Sequence, residues 1–333
     1  MAAILVTGGA GFIGSHVSDE LIKKGHKVVA IDDLSGGFRE NVSKDAVFLE
    51  GTVLDQVFIK YLFDRYQFDH VFHLAAYAAE GLSHFIKRFN YSNNLIGSVN
   101  LINASVIHKV KCFIFTSSIA VYGKNQLPMD ENMVPRPEDP YGIAKYAVEQ
   151  ELRVSKEMFG LDYIVFRPHN VYGEKQNIGD KYRNVIGIFM NQIMLDKPMP
   201  IFGDGSQTRA FSYIADIAPL IAGSIEEPSA RGEIFNIGAE KPYTVLELAN
   251  TAAKAMGVRA NIVHLKERSE VRHAYCDHSK ARKFLGEHAA TTLEDGIGRM
   301  AEWAKRVGPR KSKIFADIEI TENLPESWAE DLC

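Results

Sequence analysis

The sequence predicts a doubly wound α/β fold, a parallel sheet covered by helices on both faces, with a smaller α/β substrate lobe toward the C-terminus. Three observations carry it. Short, nearly all-apolar runs alternate with amphipathic stretches from Ala3 to Arg167, and strands buried on both faces read this way. A cluster of glycines, Gly8, Gly9, Gly11 and Gly14, stands between the first apolar run and the first amphipathic one. Beyond Arg167 Gly and Pro become more frequent, strands shorten and the regular alternation stops.

The elements follow in order. Residues 3–7 form a strand, 12–24 a helix stopped at Gly25, and 27–32 a strand ending in acid, together one βαβ unit. Residues 46–49, 70–75, 112–117 and 163–167 read as further strands, and 56–66, 91–108 and 141–159 as the helices between them. In the second half, 184–195, 245–256, 279–285 and 293–305 read as helices, and 199–202 and 262–265 as strands. Residues 1–167 are expected to form one unit, with segments near 211–217 and 235–238 returning to it, and 168–333 mainly the second lobe.

Composition narrows the function. The 333 residues carry 38 Lys and Arg against 42 Asp and Glu; a general nucleic-acid binder concentrates positive charge, so none is expected. Cys112, Cys276 and Cys333 share no metal-ligand spacing and are odd in number, which fits a reducing compartment and no metal site. No run approaches the ~18 apolar residues of a membrane span, and the chain opens on a strand. A cytoplasmic protein with no membrane partner is expected.

Read from Gly9, the glycines satisfy G-x-G-x-x-G. Such a loop lets the backbone approach a pyrophosphate seated on the start of the following helix. The pattern alone is weak, but here it leaves a strand, opens a helix, and has Asp32 eighteen positions beyond Gly14. That carboxylate can accept hydrogen bonds from ribose hydroxyls. Asp33 follows with no arginine beside it, so NAD is expected over NADP. The arrangement is of Rossmann type.

Tyr141 and Lys145, four apart after Pro140, share one helix face. A phenol near ~10 is a poor base at neutral pH, and a nearby ammonium together with the positive nicotinamide ring would favour the phenolate. Ser117 and Ser118 end a parallel strand at its carboxyl end, where open α/β sheets place ligands. Ser118 could hydrogen-bond a substrate hydroxyl and the tyrosine oxygen together.

With these residues the chain resembles the extended short-chain dehydrogenases/reductases, in the NAD-dependent epimerase/dehydratase family that modifies nucleotide sugars. The likeness covers nearly the whole length, through residues 6–14, 73–76, Asn93-Asn94, Ser118, Tyr141 and Lys145, 167–173, 203–209 and 235–238. It implies a catalytic Ser118, Tyr141 and Lys145. It implies a cofactor site of Gly8, Gly11, Phe12, Ile13, Gly14, Asp32, Leu74, Ala75, Ala76, Asn93, Ser117 and Pro168, with Tyr141 and Lys145. For the substrate it implies Asn170, Asn184, Val185, Pro200, Phe202 and Arg209, with Ser118 and Tyr141. Either Arg268 or Arg272 would be a second phosphate arginine, Glu270 would hold the uridine ribose, and Ala274 would gate room at the sugar 2-position.

Relatives that dehydrate place an Asp–Glu pair directly after the active-site hydroxyl, and decarboxylating ones a glutamate. Here Ile119 and Ala120 follow Ser118, and neither can transfer a proton. The resemblance therefore implies C4 inversion of a UDP-hexose or its N-acetylhexosamine counterpart through a 4-keto sugar, by a homodimer. UDP-glucuronate as substrate, a reductase that consumes hydride and a non-catalytic NAD-binding sensor remain as alternatives.

Overall fold

Register sets where the cleft opens. In the computed structural model, which describes residues 1–267, 271–286, 290–311, 315 and 317–329, seven strands form one sheet: β1 (Ala3–Thr7), β2 (Lys27–Asp32), β3 (Val47–Glu50), β4 (His70–His73), β5 (Cys112–Thr116), β6 (Tyr163–Pro168) and β7 (Glu233–Ile237). Their spatial order is β7-β6-β5-β4-β1-β2-β3, and every pair is parallel. Thr7 pairs with Ile31 on one side and His73 on the other, and His73 pairs with Phe115. The carboxyl ends thus share one rim, and chain order reverses between β1 and β4, where such sheets hold ligands.

Alternate residues of each strand feed opposite cores. Ile4, Val6 and Ile164 pack on α1 (Phe12–Lys23) through Val17 and Leu21. Leu5, Phe113 and Val165 pack with Leu62 of α2 (Gln56–Tyr66), Leu101 of α3 (Gly97–Ile107) and Val148 of α4 (Pro140–Phe159).

The expected helix at 91–108 is composite. An α-turn over Lys87–Tyr91 runs into a π-helical stretch, Ser92–Ile96, before α3 begins. A π insertion re-aims successive side chains and is common at functional sites. Here Asn93 lines the cleft, while Asn94 turns inward and bonds both backbone groups of Tyr77.

The second half holds α5 (Val185–Met194), α6 (Ile214–Gly223) and α7 (Val245–Met256). The α6 helix lies outside the sequence expectation and carries Pro219 in its interior, where proline removes a backbone hydrogen bond. Burial of Ile217 and Ile221 in the core that holds Val17 and Leu21 outweighs the one missing backbone bond. The segment near 211–217 does not enter the large sheet as a strand. Ser212–Tyr213 pairs with Val171–Tyr172 in a separate ladder, and α6 begins at the next residue, Ile214. The segment at 235–238 enters it as β7, which pairs along β6.

Near the C-terminus, Phe315, Ile318, Leu324 and Trp328 form a satellite cluster with Tyr77, Phe85, Phe89 and Tyr182. Both Glu319 carboxylate oxygens accept backbone N–H groups, from Arg88 and Phe89, at 3.0 Å. No helix among the described residues is long and apolar enough to cross a membrane.

Candidate active site

A cavity of about 640 Å³ follows the carboxyl rim of the sheet and continues beneath the second lobe, within the usual range for ligand sites. Its cofactor-side wall is the glycine loop. Gly8 sits at φ +70°, and a Cβ there would come within 2.8 Å of the Ala75 nitrogen, so only glycine lets the loops after β1 and β4 meet. The start of α1 has no side-chain cap, and Gly11, Phe12, Ile13 and Gly14 present it to the cavity.

Asp32 closes β2 at the rim. It accepts backbone N–H groups from Ala10 at 3.1 Å and Leu34 at 2.8 Å. Burial raises its carboxyl above the ordinary range, and those N–H groups oppose the rise.

The loop after β4 is fixed by a chain of hydroxyls through His73. Thr7 Oγ1 lies 2.8 Å from His73 Nδ1 and accepts the N–H groups of Leu74 and Ala75, and His73 Nε2 lies 2.8 Å from Ser98 Oγ. Burial lowers the His73 pKa to about 3, so the ring is neutral. Leu74, Ala75 and Ala76 line the cavity beside Asn93 and Pro168.

The Ser–Tyr–Lys group converges because α4 starts where it does. Asp139 caps that helix, accepting from the Gly142 N–H at 2.8 Å, and Pro140 opens it with the φ that a first turn needs. Tyr141 and Lys145 then face the cavity with Ser117 and Ser118. Lys145 Nζ donates to the Thr116 carbonyl at 2.7 Å and stands 5.8 Å from the Tyr141 ring centroid. Ser118 Oγ accepts from the Ala120 N–H.

Burial opposes the charged forms of both groups. It raises the Tyr141 phenol above its ordinary value, Glu80 and Asp139 add to the rise, and Ser118 and Arg183 oppose it. Burial also lowers the Lys145 pKa to about 7, with Glu149 opposing. Desolvation of both groups works against the phenolate that the lysine, together with the positive nicotinamide ring, was expected to favour.

On the lobe side, Asn170, Asn184, Val185, Pro200, Phe202 and Arg209 all line the cavity. Asn170 and Asn184 have positive φ, +42° and +61°, a conformation Asn tolerates better than most residues. The Asn184 amide does not cap α5, which it precedes; it donates to the Val171 carbonyl at 2.8 Å. The Arg209 guanidinium donates to the carbonyls of Thr208, Val271 and Arg272.

Ala274 is a correction. Among the described residues of that stretch the cavity takes Val271 and not Ala274, whose methyl is buried in a cluster with Val121, Tyr122, Met129 and Cys276. Arg268 and Glu270 lie outside the described residues; Arg272 donates to Ser206 Oγ at 3.0 Å. The cavity also takes Tyr77, Glu80, Tyr182 and Arg183, which sequence reasoning missed. For Arg183 the available signal was its place directly before Asn184.

The glycine cradle, the uncapped helix start and the buried, unpartnered Ser117 hydroxyl suit a dinucleotide. Fold and site together define a nucleotide-cofactor-dependent enzyme of the short-chain dehydrogenase/reductase type. Residues 4–238 match the family model described as the NAD dependent epimerase/dehydratase family. The chain belongs to that family, and NAD is its cofactor.

Its relatives are close over nearly their full length. A UDP-glucose 4-epimerase of Mycolicibacterium smegmatis is 32% identical, covering 90% of this chain and 97% of the relative. The structure of a Thermotoga maritima UDP-glucose 4-epimerase with UDP-glucose matches at a TM-score of 0.87 and 36% identity, covering 92% and 99%. A Bacillus cereus UDP-glucuronic acid 4-epimerase, solved with UDP-glucuronic acid and NAD, matches at 0.84 and 30%, with the same coverage.

Proposed function

We propose that this protein inverts C4 of a UDP-hexose, with UDP-glucose/UDP-galactose as the first pair and the 2-acetamido sugars as the second. One observation carries the reading. Ser118, Tyr141 and Lys145 meet at the cofactor wall of a cavity that continues along Asn170, Asn184 and Arg209, while the positions after Ser118 hold only Ile119 and Ala120. The site is thus equipped to move a proton at one hydroxyl and to grip a nucleotide, without an acid–base pair following Ser118.

Bound NAD supplies a reversible hydride acceptor. Tyr141, as the phenolate that Lys145 and the positive nicotinamide ring of bound NAD would together favour against burial, takes the 4-hydroxyl proton as the C4 centre is oxidised and returns it when C4 is reduced on the opposite face. Ser118 holds the same oxygen. Lys145, fixed by the Thr116 carbonyl, sets the charge beside the phenol. Asn170, Asn184 and Arg209 hold the diphosphate and Phe202 the uracil ring, so the sugar is the part that can turn.

Residues 1–167, with α6 and β7, serve as the cofactor unit in this reading, and the rest mainly as the substrate lobe. A cytoplasmic homodimer fits it. Ile143, Val154, Met158 and Phe159 on α4, with Ile96 and Ile107 around α3, are large apolar side chains left exposed, and light scattering of the purified protein tests that pairing.

UDP-glucuronate is the second reading, favoured by two arginines, Arg183 and Arg209, on the cavity wall. Incubation with UDP-glucose, UDP-N-acetylglucosamine and UDP-glucuronate, followed by proton NMR at C4, decides. Inversion of the neutral sugars supports the proposal, inversion of the uronate alone moves it to the second reading, and no inversion of any overturns both.

A further inference from the structure

Arg183 stands where three loops meet. Its Nε donates to Asp180 Oδ2 at 2.7 Å, and its guanidinium lies 4.6 Å from the centroid of the Tyr77 ring. A Cβ built on Gly36 would come within 3.0 Å of Arg183 Nη2. Tyr77 follows β4, Gly36 follows β2 and Arg183 precedes α5, and all three line the cavity. Gly37, next along, packs so tightly on the glycine loop that its Cβ would meet Ala10 at 2.6 Å and the Gly11 nitrogen at 2.8 Å.

The same loop is held from the second half at other points. The Asn177 amide donates to the Gly36 carbonyl at 3.4 Å. The Asn41 amide donates to both Ala10 and Lys175 carbonyls. Arg310 lies 3.7 Å from the Phe38 ring centroid and donates to Glu40 at 2.6 Å. Residues 36–41 are therefore tied to the chain at 175–183 across the mouth of the glycine loop.

We propose that Arg183 is a latch that closes over the bound dinucleotide on its pyrophosphate, opposite the glycine loop; this rests on the NAD reading above. The glycine loop and the start of α1 offer a diphosphate only backbone N–H groups. The cations among the described lining residues are Lys145, Arg209 and Arg183. Lys145 is bonded beneath Tyr141, and Arg209 lines the lobe side of the cavity, where the reading above places the substrate diphosphate. Arg183 is the cation beside Gly36. Its Asp180 bond uses Nε, and the ring beneath it fixes the plane, so the Nη edge is held ready for phosphate oxygens. A cofactor regenerated within each turnover gains nothing by leaving, and a latch that slows its loss suits that cycle.

The test measures cofactor exchange, not turnover. Wild type, Arg183→Ala and Gly36→Ala are purified, their nucleotide content is measured after acid release, and replacement by isotopically labelled NAD is followed by mass spectrometry. Arg183→Ala should exchange about 10- to 100-fold faster, the loss expected for a charge-assisted contact. Gly36→Ala, which displaces the guanidinium without removing it, should shift exchange the same way by less, and it carries the test if Arg183→Ala fails to fold. Unchanged exchange in the folded variants overturns the latch. So does a raised KM for the sugar nucleotide with exchange unaltered, which would place Arg183 on the substrate. Wild type that neither carries nor takes up NAD sinks the cofactor reading itself.

Discussion

Arg167 holds both carboxylate oxygens of Glu149 in the protein interior, Nε to Oε1 at 2.9 Å and Nη2 to Oε2 at 2.5 Å, one helical turn beyond Lys145. Nη1 continues the network to Tyr122, whose hydroxyl donates to Asn236. Both side chains of the pair are at most 2% exposed. Breaking such a pair leaves a charge without a partner, whereas replacing both members with apolar groups of similar volume removes the cost. Glu149→Gln should destabilise the protein by about 3–5 kcal/mol, and Glu149→Leu with Arg167→Met by clearly less. Urea denaturation of the single and double variants measures this; equal losses would remove the pair from the account of stability.

Tyr141→Phe should cost about 10²–10⁴ in turnover, the usual contribution of a positioned acid–base group. Nucleotide content of the purified variant should match wild type. A rate within a few-fold of wild type in the NMR assay would exclude Tyr141 as the proton carrier.

Ser118→Ala separates two roles of one hydroxyl. Loss of its bond to the Ala120 N–H should lower stability by about 1 kcal/mol, as for other N-cap positions. Loss of its contact with the substrate oxygen should lower kcat by about 10² or more. Thermal melts and initial rates on the same preparation read the two effects independently, and a melt shift without a rate effect would leave Ser118 purely structural.

Acid should weaken the fold through its buried imidazoles. Burial lowers His73 and His169 to about 3 and His278 to about 4, against ~6.5 in an unfolded chain. Between those limits the unfolded state binds protons that the folded state refuses. The stability is therefore complete above pH ~6.5 and falls as pH drops, by about 1.4 kcal/mol per unit for each histidine, until the folded values are reached. His73→Gln should flatten the slope between pH 6 and 4 by about 1.4 kcal/mol per unit. An unchanged slope would mean that His73 does not stay neutral in the fold.

Trp328 is buried against Tyr182 and Phe85, with ring centroids at 5.3 and 6.3 Å. Trp328→Ala should cost about 3 kcal/mol or more and expose the chain around 317–329 to protease ahead of the core. Limited proteolysis with mass spectrometry gives the order of cleavage, and wild-type resistance of this segment in the variant would show that its anchor lies elsewhere.

Reading the chain one element at a time went far because the first half is built from local rules. Gly8 to Gly14, the acid at Asp32, the Asp139–Pro140 start before Tyr141 and the serines after β5 all lie at junctions whose chemistry depends on neighbours a few residues away. Element limits shifted mainly where packing intervened. The π turn at Ser92–Ile96 satisfies Asn93 and Asn94 at once, and α6 tolerates Pro219 for the apolar face it buries against α1.

The sequence by itself determined the alternation that makes a parallel sheet, the glycine loop at its first junction, and Ser118, Tyr141 and Lys145 on elements that reach one rim. Only the tertiary structure decided that Ala274 packs behind the cavity wall, that burial opposes both Tyr141 and Lys145 ionisation, and that Arg183 meets Gly36 and Tyr77. The physical reason is range. Spacing along a helix or turn is set by the backbone within a few residues. Desolvation and the meeting of loops separated by more than a hundred positions depend on how the whole chain packs.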